Sequence, residues 1–184
     1  GMKIGTCGYY KEEKHGNRKR KKFVKVVITS DPVTKDLVGI TVGLEGDIPS
    51  EPECSKEHMK ELIENGNQID TFYGDGAFDK FDMFTFCEEH GIDPGIRIRK
   101  SAVLWGGSPP LRIEEIMTLQ MIGYDDWKFM KDYGKRWVGT EGYFSSVKRI
   151  FGENLRSKTK KGLVHEAKMK FWAYQKMKKY GEGG

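Results

Sequence analysis

Glu141 and Lys148 lie seven positions apart in YGKRWVGTEGYFSSVK, the stretch from Tyr133 to Lys148. The segment around them reads as a helix. Seven residues make about two helical turns, so both side chains emerge on nearly one face, roughly 10 Å apart. A carboxylate and an ammonium so placed can hold a metal ion and, one step along, a phosphate. Asp75 is the second acid of interest. It stands where an apolar run that includes Ile69, Phe72 and Tyr73 gives way to Gly-Asp-Gly, the mark of a strand ending at a site. Two acids on different elements, beside basic residues, suit metal-dependent phosphodiester chemistry.

Each of these residues also has an ordinary structural use. Asp75 before glycine is a good turn residue. Glu141 near a helix start is a favourable dipole contact, and Thr140 is placed to cap that helix. Lys148 suits a solvated surface, and Tyr133 suits a packing position with a wet hydroxyl. Asp75, Asp79 and Asp82 have the wrong oxygen spacing, and no closing glutamate, for a calcium loop. The four histidines (His15, His58, His90, His165) form no cluster, which removes support for zinc or a histidine base. The Trp105-Gly106-Gly107 loop lacks the lysine of a phosphate-binding loop.

The elements that must position the acids follow from pattern. The length of 184 residues suits one domain. Phe23 to Ser30 and Leu37 to Leu44 are β-branched runs, joined by DPVTKD into an antiparallel hairpin. Glu45 to Pro52 reads as loop. A helix is expected from Ser55, as N-cap, to Glu64, with Met59, Leu62 and Ile63 inward. The next strand is Ile69 to Gly74. Asp79 is placed to cap a helix running to about His90, with Phe81, Phe84 and Phe86 or Cys87 packing and Gly91 as its stop. Ile92 to Lys100 alternates Ile96 and Ile98 with Arg97 and Arg99, a strand with one wet face.

Residues 101–111 read as irregular loop, followed by a helix around Ile113 to Met121. A helix over Glu141 to Phe151 buries Tyr143, Val147, Ile150 and Phe151. The last helix, Leu163 to Lys179, aligns Val164, Ala167, Phe171 and Tyr174, and YGEGG after it reads as a frayed tail. With Met2 to Thr6 as the tail of an opening strand, the order is three strands, helix, strand, helix, strand, helix. That order predicts an α/β fold of the ribonuclease H-like type, a mixed sheet with helices on both faces and its first strand largely missing.

Composition narrows the partners. Charged residues make up 32% and the hydrophobic set 37%, a profile for a globular protein with a polar surface. No apolar run reaches the roughly 20 residues of a membrane span, and the basic stretch from Gly1 to Lys22 does not read as a signal peptide. Cys7, Cys54 and Cys87 are far apart and read as reduced thiols, so a cytoplasmic location is expected. The net charge is +5, concentrated in RKRKK at Arg18 to Lys22 and in a second group from Lys148 and Arg149 through Lys179. Such clusters favour a polyanionic partner.

Taken together, these residues resemble the DDE transposases of bacterial and archaeal insertion sequences. The signature around that family's third acid is Tyr, two residues, Arg, three residues, Glu, six residues, Lys. Tyr133, Arg136, Glu141 and Lys148 reproduce it with one extra residue between Arg136 and Glu141. YGDGAFD is similar to the motif of the second acid, which nominates Asp75, and KRIFGE at Lys148 to Glu153 is also typical. The likeness runs from the first residues to about Tyr174.

The resemblance implies Asp75 and Glu141 as catalytic metal ligands. It makes Tyr133, Arg136, Lys148 and Arg149 the residues that support double-stranded DNA at a transposon end or target. It implies two Mg²⁺ or Mn²⁺ ions, hydrolysis at the element's end and strand transfer into target DNA. It also implies a single catalytic domain over residues 1–184, with a loop and helix insertion at about 101–137.

The family's first acid lies on the opening strand, in a phrase that Gly1-Met2 would follow, so that aspartate is expected to be missing here. Asp31 sits in a turn and is a poor substitute. Two acids alone should bind metal weakly and give little strand transfer. A sheet without its opening strand leaves backbone groups unpaired, which favours a homodimer or a borrowed edge. A non-catalytic DNA-binding relative and a ribonuclease H-type nuclease are the alternatives.

Overall fold

The computed structural model describes residues 1–5, 12–15, 18–21, 23–99, 102–104 and 106–182; Cys7, Lys22 and Trp105 lie outside them. The chain forms two compact units, one from residues 1–50 and 139–184 and the other from residues 51–138. Both are mixed α/β, the class expected from the order of elements.

The first unit is built on a four-stranded mixed sheet. Its strands are β1 (Met2–Ile4), β4 (Phe23–Ser30), β5 (Leu37–Leu44) and β8 (Asn154–Leu155), in the order β5-β4-β1-β8. β1 is interior, antiparallel to β4 and parallel to β8. The β4–β5 hairpin forms over the expected residues. Its turn is fixed by Asp31, whose Oδ1 accepts from the backbone N–H groups of Val33 (2.7 Å) and Thr34 (3.3 Å). Between β1 and β4, β2 (Glu12–His15) and β3 (Arg18–Lys21) pair as an antiparallel ladder that sequence reading did not anticipate. Glu12 stands opposite Lys21 and Glu13 opposite Arg20 in that register.

Alternation along β4 puts Val24, Val26 and Ile28 on one face. They pack with Tyr143 and Val147 of α5 (Glu141–Phe151) and with Leu163, Ala167 and Phe171 of α6 (Lys160–Glu182). α5 occupies the residues expected of it. Ile150, expected inward, is exposed, because it lies at the edge of the face centred on Val147. α6 is longer than expected: it begins at Lys160 and takes in Tyr180 to Glu182, which had read as tail.

The second unit is a strand–helix–strand crossover with further helices. α1 (Glu51–Glu64) precedes β6 (Thr71–Gly74), α2 (Phe81–His90) and β7 (Asp93–Ile96). β6 and β7 pair in parallel, Thr71 opposite Asp93 through Gly74 opposite Ile96. Phe72, Met83, Phe84, Phe86, Cys87, Ile92, Ile96 and Ile98 form the core with Met59 and Ile116. Burial pushes the Cys87 thiol up to about 12, so it is an inert core group.

Four local expectations change. α1 starts at Glu51 rather than after Ser55, because Pro52 is tolerated in a first turn whose N–H groups need no partner. Lys80, not Asp79, holds the N-cap position of α2, and Phe81 is exposed with the Arg112 guanidinium 5.1 Å from its ring centroid. α3 runs from Pro110 to Met130, longer than expected. It has proline at its first position and a kink at Gly123, whose φ of 80° is non-helical. A short α4 (Lys135–Gly139) follows where no helix was expected.

Candidate functional site

Asp75 follows the last residue of β6. In parallel βαβ units, ligands bind outside the carboxyl ends of the strands, and Asp75 occupies such an end. Its backbone is extended and its Oδ1 accepts from Ala77 N–H at 2.8 Å, capping a single 3₁₀ turn (Gly76–Phe78). Oδ2 makes no hydrogen bond among the described residues, so half of the carboxylate stays available. The glycine before it is required by packing: a Cβ on Gly74 would lie 2.8 Å from Phe78 Cβ.

The Gly74 carbonyl receives two donors, Arg97 N–H at 3.1 Å and the Tyr133 hydroxyl at 2.9 Å. Tyr133 is only 3% exposed. Burial pushes its hydroxyl up to about 12, with Arg136 acting in the opposite direction, so it stays a neutral donor. Asp75, Arg97 and Arg136 are all close enough to act on that hydroxyl electrostatically.

Behind Tyr133 is a buried aromatic and ionic framework. The Trp127 ring lies 5.2 Å from the Tyr133 ring, and its indole N–H donates to Glu115 Oε2 at 2.9 Å. Lys131 bridges Glu115 and Asp93, each at 2.6 Å. The Arg136 guanidinium sits over the rings of Tyr133 (5.5 Å) and Trp137 (4.9 Å), and Arg97 over Tyr124 (5.0 Å).

Asp79, the second acid of DGAFD, has a different use. Its side chain is 1% exposed and is gripped by Arg112, Nε to Oδ1 at 2.7 Å and Nη2 to Oδ2 at 3.4 Å. Oδ2 also accepts from Arg99 N–H at 3.1 Å, while Arg99 Nε donates to Gly76 O at 2.7 Å. Asp79 therefore ties the loop after β6 to the strand end of β7. Sequence reading missed this pair because Arg112 stands 33 residues away, in a region taken for the edge of a loop.

Glu141, Lys148 and Arg149 lie in the other unit. Glu141 opens α5, exposed and with no hydrogen bond among the described residues. Lys148 is on the same helix face two turns on, half-buried and near enough to Glu153 to help lower that acid's pKa, behind the larger effect of Lys3. Arg149 is exposed. The C-terminal end of α5 is held by Lys170, whose Nζ donates to the carbonyls of Phe151 (3.1 Å), Gly152 (3.1 Å) and Asn154 (2.8 Å).

Tyr133 and Arg136 thus belong to the unit of Asp75, and Glu141 and Lys148 to the other. Asp31 is committed to its turn. No three His, Cys, Asp or Glu side chains among the described residues converge into a metal-binding group. The donor chemistry of Asp75 and Glu141 nevertheless fits a hard divalent cation, which is held by one or two carboxylates with water and phosphate oxygens completing the shell. No described helix is long and apolar enough to cross a membrane.

The chain matches the transposase DDE domain family over residues 1–175 and belongs to it. The family consists of mobile-element transposases that act on DNA and use divalent metal ions. No solved structure matches the chain.

Proposed function

We propose that the chain is the catalytic domain of an insertion-sequence transposase, acting on the DNA ends of its element and on target DNA. Asp75 and Glu141 are the metal ligands. The observation that carries this reading is Asp75 at the carboxyl end of β6, with Oδ2 uncommitted and its backbone braced by the Tyr133 hydroxyl on Gly74. Bound Mg²⁺ or Mn²⁺, two ions in the complete site, would activate the attacking oxygen and stabilise the leaving one.

The remaining roles fall to the protein's own groups. Arg136, Lys148 and Arg149 contact phosphates near the scissile bond, where their charge positions the strand. Tyr133 serves the DNA end through the backbone it holds. Asp75 and Glu141 are two carboxylates of a set that the family draws from three.

The test is cleavage of a duplex carrying the element's own terminus by the full gene product, with Mg²⁺ or Mn²⁺. Nicking at the element boundary that is lost in Asp75→Ala and in Glu141→Ala is the expected result. DNA binding unaffected by chelator, with no cleavage by the wild type, would instead make the protein a non-catalytic DNA-binding relative. Preferential cleavage of RNA–DNA hybrids would make it a ribonuclease H-type nuclease.

A further inference from the structure

α6 turns Leu163, Ala167 and Phe171 into the core of its unit. On its outer side, at about 100° per residue, Lys161, His165, Lys168, Trp172, Lys176 and Lys179 fall within an arc of roughly 80°. They form one stripe about 27 Å long at ~1.5 Å per residue.

The lysines off this stripe are engaged. Lys160 pairs with Asp47 at 2.8 Å, Lys170 caps α5, and Lys178 pairs with Asp36 at 3.0 Å. The four lysines on the stripe make no ion pair among the described residues. Two acids beside the helix are already occupied. Glu166 accepts from the N–H groups of Arg156 and Ser157, and Asp36 accepts from Lys178 and Gln175.

A solvated lysine face needs no indole at its centre, yet Trp172 stands there 48% exposed, with the Lys168 ammonium 5.1 Å from its ring centroid. The helix's inward face is filled, so Trp172 is surplus to the core. An exposed indole between unpaired ammonium groups matches a strand of phosphates with sugars or bases to stack upon. The stripe's length corresponds to about eight base pairs at ~3.4 Å each.

We infer that the outer stripe of α6 is a DNA-backbone docking surface, with Lys161, Lys168, Lys176 and Lys179 on phosphates and Trp172 packed on the strand. The choice of DNA as partner rests on the proposed function; the surface itself needs neither metal nor the two acids.

The test measures the affinity of the full gene product for a random-sequence duplex by fluorescence anisotropy, in chelator, from 50 to 200 mM salt. Each phosphate contact contributes about 0.9 to the slope of log affinity against log salt. Lys168→Gln/Lys176→Gln/Lys179→Gln is expected to flatten the slope by about 2.7. That shrinks the affinity lost across this salt range by about 40-fold. Trp172→Ala should weaken binding while leaving the slope in place. A control triple, Lys56→Gln/Lys60→Gln/Lys135→Gln, neutralises lysines already paired with carboxylates and should leave the slope near wild type.

An unchanged slope in the α6 triple, or equal flattening in the control, would overturn the inference. Should the triple fail to fold, Lys176→Gln alone must flatten the slope by about 0.9. Variant-sensitive binding that is tighter for single-stranded RNA than for duplex would refute the assignment to DNA. Because the assay runs without metal, loss of cleavage elsewhere leaves its result readable.

Discussion

Replacing Asp79 with alanine should destabilise the unit of residues 51–138 more than removing either acid assigned to metal. Asp79 and Arg112 are 1% and 7% exposed at their side chains, and their 2.7 Å contact is the strongest partner of the buried guanidinium. Arg112 Nη1 is buried without a hydrogen-bond partner among the described residues, so no second acceptor compensates. Asp79→Ala leaves a buried cation unpaired and the Arg99 N–H unbonded. Breaking one side of a buried pair costs about 3–5 kcal/mol. That is a large fraction of the ~5–15 kcal/mol typical of a whole domain. With urea m-values of about 1–3 kcal/mol/M, the transition of this unit should move down by roughly 2 M.

Asp79→Leu/Arg112→Met, which removes both charges, should cost less than Asp79→Ala alone. Urea unfolding followed by tryptophan fluorescence reads this unit directly, because Trp127 is buried beside Tyr133. A loss below about 1 kcal/mol for Asp79→Ala, the range of a surface pair, would refute the reasoning. So would a double variant as damaging as the sum of the two singles.

Two further outcomes follow from hydrogen bonds in the structure. Tyr133→Phe removes the hydroxyl on the Gly74 carbonyl and should cost about 1 kcal/mol. It should also weaken metal binding at Asp75, whereas a purely packing role would leave metal affinity unchanged in a titration. For Glu166, burial pushes the carboxyl up. The N–H groups of Ser157 and Arg156 and the Ser157 hydroxyl more than offset this, leaving it below the usual carboxylate value. A depressed folded pKa contributes stability present above the unfolded value of about 4.3 and lost as pH falls through the folded one. Glu166→Gln should therefore flatten the acid limb of a stability profile below about pH 5; an unchanged limb would show that the carboxylate is not held in this way.

How much was legible in the sequence varied with the range of the interaction. The β4–β5 hairpin and α5 were readable because β-branched runs and a 3.6-residue stripe are local signals. Gly91 as the stop of α2 was readable too, since its φ of 65° is a glycine conformation. The starts of α1 and α3 were misplaced because Pro52 and Pro110 fell in stretches read as loop, where each serves as a first-turn residue. β8 is two residues long and exists only through parallel pairing with β1, Lys3 opposite Asn154 and Ile4 opposite Leu155, residues remote in sequence.

The strand end that carries Asp75 was visible from its Tyr-Gly-Asp-Gly context. The purpose of Gly74 was not, because it depends on the closeness of Phe78. Asp79 was read as a helix cap because its true partner, Arg112, is remote. Tyr133 was read as a residue at the DNA end. Its bond to Gly74, 59 positions earlier, has no local signature.

On the proposed reading, Asp75 and Glu141 serve one divalent ion. Mn²⁺ titration of the full gene product, followed by electron paramagnetic resonance, tests this most directly in the wild type, Asp75→Ala and Glu141→Ala. Each substitution alone should abolish the same binding event while folding is retained. Manganese binding that survives loss of Glu141 at wild-type affinity, or that never depended on Asp75, would contradict it.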